Sequence, residues 1–188
     1  MPRSTLRRKV KNAKASLPSK VSRTFRRKKN VAKRIGNTKR NVTMDSSVLI
    51  SYVISKKDNT INKKVVTKST TDDRLMLTDV IYQECLKYTR GKNARVTKEE
   101  MSGKLKMIAP EIISISPVPS EKDLMKKYRI RDKNDLKILY SVDMTDSVIL
   151  VTVDDDFSDI EGLKAKVMRP TEYLFEQEKV KRTTKRRK

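Results

Sequence analysis

Between residues 41 and 178, short apolar runs of strand length alternate with longer stretches whose apolar residues fall at helical spacing. "NVTM" (41–44), "RLMLT" (74–78), "IISISPVP" (112–119), "SVILVT" (147–152) and "AKVMRP" (165–170) have strand length and composition. Between and after them, "DSSVLISYVI", "DVIYQECLKYTR", "TKEEMSGKLKMIA", "SEKDLMKKY", "DLKILYSVDM" and "TEYLFEQE" have the helical pattern. Asp45 or Ser46 is placed to cap the first helix, and Thr97 with Glu100 forms a Thr-x-x-Glu capping pattern. Strands separated by helices need crossover connections, which place them parallel in one sheet covered on both faces. The expected fold is therefore a three-layer α/β/α sandwich. Only "SKKDNTINKKVVTKSTTDD" (55–73) resists assignment, because it is predominantly polar.

Charge divides the chain. Residues 1–40 hold 16 Lys and Arg and no acid, and residues 179–188 hold seven and again no acid. The remaining 23 Lys and Arg are matched by all 23 Asp and Glu, so the middle is neutral while the whole carries +23. This predicts a domain at 41–178 between a basic arm, 1–40, and a basic tail, 179–188. The arm has no apolar period and is expected to be disordered alone. One cysteine, Cys85, allows no internal disulfide, which points to a reducing, intracellular (cytoplasmic) setting. No apolar run approaches the length needed to span a bilayer, and no apolar stretch follows the basic start as in a secretory signal.

Ligands of open parallel sheets collect beyond the carboxyl ends of the strands. Asp45 follows "NVTM" directly, and Asp154 lies two residues past "SVILVT" at the head of "DDD". In "DVIYQECLKY", Val80, Ile81, Cys85 and Tyr88 mark the inward face, and Glu84 falls on it. An inward carboxylate is costly unless a cation meets it. Asp135 opens the helix "DLKILYSV". Each has a plainer reading: Asp45 and Asp135 as helix caps, Glu84 reaching water or Lys87, Asp154–Asp156 as a solvated turn. Taken together, those readings need four coincidences at one end of one sheet.

In order along the chain, "TMDSSVLIS", "LTDVIYQECLKY", "RDKNDLKILYSV", "VILVTVDDDF" and "LKAKVMRPTEYLFEQ" resemble the motifs of the PIN-domain nucleases, which include the toxin ribonucleases of toxin–antitoxin pairs. The resemblance covers 41–178. It implies that Asp45, Glu84, Asp135 and Asp154 are the metal-binding acids, with Asp156 as a further ligand and Ser46 and Thr152 supporting them by hydrogen bonds. Asp132 competes with Asp135 for the third place, since "RDKND" offers both. The polar 55–73 stretch departs from the family's more apolar helical hairpin.

Oxygen ligands alone favour Mg²⁺ or Mn²⁺. With no histidine in the chain, imidazole bases, His-bound zinc and Ser-His-Asp triads are excluded, and no Gly-x-x-x-x-Gly-Lys is present for a P-loop. Metal-assisted phosphodiester hydrolysis is the chemistry left. Phe25 is the arm's only aromatic, so the arm is suited to neutralising phosphates and not to stacking bases. Its gripping residues are read as Arg7, Arg8, Lys9, Arg26, Arg27, Lys28, Lys29, Lys33, Arg34, Lys39 and Arg40. RNA is the expected partner by the resemblance, which also allows an antitoxin-like inhibitor and a homodimer. The alternative is a non-catalytic PIN-like component of a ribosome or other ribonucleoprotein particle, to which long acid-free ends are equally suited.

Overall fold

The computed structural model describes residues 39–129, 135–157 and 160–185. The gripping residues Arg7, Arg8, Lys9, Arg26, Arg27, Lys28, Lys29, Lys33 and Arg34, and the competing acid Asp132, lie outside the described residues. Five strands form one sheet: β1 (Asn41–Met44), β2 (Arg74–Thr78), β3 (Ile112–Ile113), β4 (Ile149–Val151) and β5 (Lys166–Met168). Their order is β3-β2-β1-β4-β5, and every neighbouring pair is parallel. The helices are α1 (Ser46–Ile54), α2 (Ile61–Asp72), α3 (Asp79–Tyr88), α4 (Lys98–Ile108), α5 (Glu121–Tyr128), α6 (Leu136–Met144) and α7 (Pro170–Lys185). A 3₁₀ turn, Asp155–Phe157, follows β4. The result is the expected α/β sandwich.

The chain adds β2 and β3 on one side of β1, then returns to add β4 and β5 on the other. The sheet's switch point therefore lies between β1 and β4, where crevices open beyond the carboxyl ends. Val42, Met44, Leu150 and Val151 on these two strands are fully buried. Around them pack Leu49, Ile81, Leu105 and Leu139 from four helices. The Thr97–Glu100 capping box at the head of α4 forms as its sequence predicts.

The polar stretch that resisted assignment contains α2. Thr60 caps it, accepting from the Lys63 amide at 3.4 Å, and its buried face is only Val65, Val66 and Ser69. That stripe is too narrow to stand out in a polar sequence, yet it is enough to seat the helix against α1 and α7. The third strand shrinks to two residues at an edge, and the last helix runs to Lys185, past the expected domain end at Glu178. Among the described residues no helix is long and apolar enough to cross a membrane.

Candidate active site

Asp45 sits where β1 ends, and its own amide donates to the Val151 carbonyl of β4 at 2.9 Å, so the switch point holds its backbone. It is buried, with 4% exposure, and a buried carboxylate must be supplied with donors. Oδ1 accepts from the Ser46 amide at 2.6 Å and the Ser46 hydroxyl at 3.3 Å. Oδ2 accepts from the Ser47 hydroxyl, and from the Thr152 hydroxyl at 3.2 Å. Asp45 thus caps α1 and is also oriented by a residue of the next strand over. The capping role and a functional role are not exclusive.

Thr152 is buried and serves two acids. Besides donating to Asp45, its hydroxyl accepts from the Asp154 amide at 3.0 Å. Asp154 in turn uses Oδ1 to accept from the Asp156 amide at 3.0 Å. Both of these aspartates are exposed, and Asp155 between them pairs with Arg169. The "DDD" run is therefore a tightly folded turn whose side chains reach solvent.

Glu84 comes to the same place from α3. It is half-buried, and burial raises its pKa above the ordinary carboxylate value. The negative charge of Asp45 raises it further, while a hydrogen bond with Ser46 and the charge of Lys87 lower it. Ser46 consequently touches both acids. Next to Glu84, burial pushes the Cys85 thiol up to about 12, with the two carboxylates adding to the effect, so thiolate chemistry is ruled out there.

Asp135 stands half-buried at the head of α6, a helix that packs on α3, and makes no capping bond to it. The structure thus draws Asp45, Glu84, Ser46 and Thr152 into one unit and links Asp154 to it through Thr152. It does not gather all the acids into a cage. Among the described residues, no group of three or more His, Cys, Asp or Glu side chains is arranged to hold a metal ion. Ser47 was missed in the sequence, although it completes the run of small hydroxyl residues after Asp45 that signals these donors.

Two of the gripping residues are described. Lys39 donates to the Thr70 carbonyl at 3.3 Å. Arg40, expected to hold phosphate, is instead committed to protein: its Nε and Nη2 donate to Asp73 at 3.0 and 3.2 Å, and Glu176 lies 3.7 Å away. The bond to Asp73 raises the guanidinium pKa further.

The fold and the site define a parallel α/β/α sandwich with a hydroxyl-supported acid pair at its switch point. The chain matches no protein-family profile and no curated protein. Among solved structures it is similar in fold to a chain of VapBC2 from Rickettsia felis, crystallised bound to a DNA fragment from their promoter. The TM-score is 0.50 at 16% identity, over 69% of this chain and 98% of that one. At that identity the likeness is one of fold.

Proposed function

We propose that the chain is a PIN-like, divalent-cation-dependent endoribonuclease that hydrolyses RNA phosphodiester bonds. The observation that carries this reading is the Asp45–Glu84 pair: two acids at the switch point, close enough for one to raise the pKa of the other. Like charges held together in partial burial favour a cation between them. Mg²⁺ commonly takes only one or two protein carboxylates and completes its shell with water and substrate phosphate, so a pair suits it and a closed cage is not required. Asp45 and Glu84 are the residues that would hold Mg²⁺ or Mn²⁺, with Asp154 and Asp156, tied to Asp45 through Thr152, and Asp135 at the head of α6 as candidate further or water-bridged donors. The bound ion supplies charge neutralisation at the phosphate and an activated water. Ser46, Ser47 and Thr152 fix the two oxygens of Asp45 so that the pair is oriented before substrate arrives. The basic arm supplies phosphate contacts. Likeness in fold to VapBC2 supports an antitoxin-type protein as a partner.

A second reading, a non-catalytic RNA-binding component of a larger particle, is favoured by the lack of a three-acid group among the described residues. Labelled RNA incubated with Mg²⁺, Mn²⁺ or EDTA separates the two. Cleavage with either ion, none in EDTA, and none by a folded Asp45→Asn protein is the expected result. Cleavage by Asp45→Asn at the wild-type rate would remove the nuclease reading. Mg²⁺ should also raise the melting temperature of the wild type and leave that of Asp45→Asn nearly unmoved, because only a bound ligand stabilises the native state.

A further inference from the structure

The neutral middle of the chain is not neutral everywhere. From Lys87 to Lys98 it has five Lys and Arg and no Asp or Glu. This segment is the turn from α3 into α4, and its backbone is fixed. The Gly91 amide donates to the Tyr88 carbonyl at 3.1 Å, the Ala94 amide to the Gly91 carbonyl at 3.0 Å, and the Tyr88 hydroxyl to the Asn93 carbonyl at 3.2 Å. On this frame Arg90, Arg95 and Lys98 line an open groove of about 550 Å³. All three are exposed, and among the described residues none of their side chains makes an ion pair or a hydrogen bond. The one acid of the groove, Glu100, is turned to its own helix, where it accepts from the Thr97 amide at 2.9 Å. The groove lies at the far end of the helix that carries Glu84. Lys87 and Arg90 follow Glu84 at three-residue steps, which keep to one side of a helix, and the Arg90 amide continues the turn by donating to the Lys87 carbonyl at 3.0 Å. Six residues of helix rise about 9 Å, so positive charge runs without a break from the acid pair to the groove.

We infer that this groove grips the backbone phosphates of an RNA strand that crosses the acid pair. Arg90 and Arg95 can each hold a phosphate through two parallel bonds, and Lys98 adds a point charge. Ala94 and Val96 are the only apolar residues of the groove, Val96 is packed against the core, and no aromatic lines it. A protein partner draws most of its affinity from an anchor side chain in a well-packed pocket, which this groove does not offer. Backbone phosphates need only the charge, and the contact reads no sequence. The inference deepens the proposed function by giving the strand a path along α3 away from Asp45 and Glu84. It rests on the nucleic-acid half of that reading and not on cleavage.

The full-length wild type is compared, in EDTA, with two triple variants that lose equal charge. One is Arg90→Gln/Arg95→Gln/Lys98→Gln. The other, Lys56→Gln/Lys57→Gln/Lys64→Gln, removes three exposed lysines that take no part in the groove. Binding of a fluorescein-labelled oligouridylate is followed by anisotropy from about 50 to 200 mM KCl. With three phosphate contacts gone from a single strand, the logarithmic salt slope of the groove variant should be smaller by about 2 units, and that of the control should stay at the wild-type value. Cleavage in Mg²⁺ by the groove variant should need more RNA to reach half its maximum and keep its rate at saturation. An unchanged slope in the groove variant, or an equal loss in the control, would overturn the inference. A labelled polyglutamate peptide that binds the groove variant more weakly while the RNA slope holds would assign the groove to an acidic protein and overturn it equally. Because the slope is read without cleavage, the two readings stay apart: a slope that falls in a protein that does not cleave leaves the groove standing and removes the nuclease, and cleavage with an unchanged slope does the reverse.

Discussion

Glu84 shows how far a single carboxyl can be read from sequence. Its place on the inward face of α3 follows from the apolar residues around it. Its neighbour Asp45, 39 positions earlier, becomes visible only once β1 and α3 are side by side. Because the folded state holds the Glu84 pKa above its ordinary value near 4.5, the folded chain binds a proton more tightly than the unfolded one. Stability therefore falls as pH rises from that value through the raised one, and the full penalty stands above it. Glu84→Gln cannot ionise and escapes the penalty. In EDTA, its melting temperature should gain on the wild type as pH rises from 4 to 8; a difference that stays flat across that range would show that Glu84 is ionised without cost. The same limits explain Arg40. As one of many cations in a basic stretch it looked like a phosphate ligand, and no local signal announced Asp73 as its partner.

Elements are tied together by that aspartate. Asp73, 3% exposed at the end of α2, accepts from Arg40 ahead of β1 and from Tyr173 and Gln177 of α7. Its presence raises the Tyr173 pKa, after burial, and so keeps the phenol protonated as a donor. Replacing Asp73 by Ala leaves three donors around an empty place, one of them charged and partly buried. The expected loss is about 3 kcal/mol, because removing one partner of a buried ion pair strands the other. In a calorimetric or circular-dichroism melt this appears as a drop of roughly 6–12 °C; a change within about 1 °C would mean that the hub is replaceable by water. The polar look of 55–73 hid this arrangement, since α2 is held by its ends and a three-residue stripe. Gly162 shows a different tie. Its φ of +85° belongs to the left-handed region, and a side-chain carbon there would run into the Lys127 carbonyl of α5. Gly162→Ala should cost about 1–3 kcal/mol, read from the urea midpoint. An unchanged midpoint would show that the segment shifts freely away from α5.

For the whole molecule, the parallel sense of the sheet was legible because crossover helices leave little choice once the alternation is seen, whereas the strand order, which sets β4 beside β1, was not. The position of Asp45 just past β1 followed from the same pattern, while Thr152, read as the last residue of its strand, stands just beyond the end of β4. The extent of the edge strands was not legible, because an edge gains little from burial and its length is set by what covers it. The reach of α7 was hidden by its charge, since basic residues that continue a helix read the same as a basic tail.

The switch point also sets an order in time. Asp45 and the hydroxyl that orients it are 107 residues apart in the chain. At about 5–20 residues per second, a ribosome needs roughly 5–20 s to pass from one to the other. Until residue 152 has been added, the chain holds both Asp45 and Glu84 but has neither a complete β4 end nor the hydroxyl that orients Asp45. The support of Asp45 is thus completed by a contact of high sequence separation, and every product of premature termination before residue 152 is born without it.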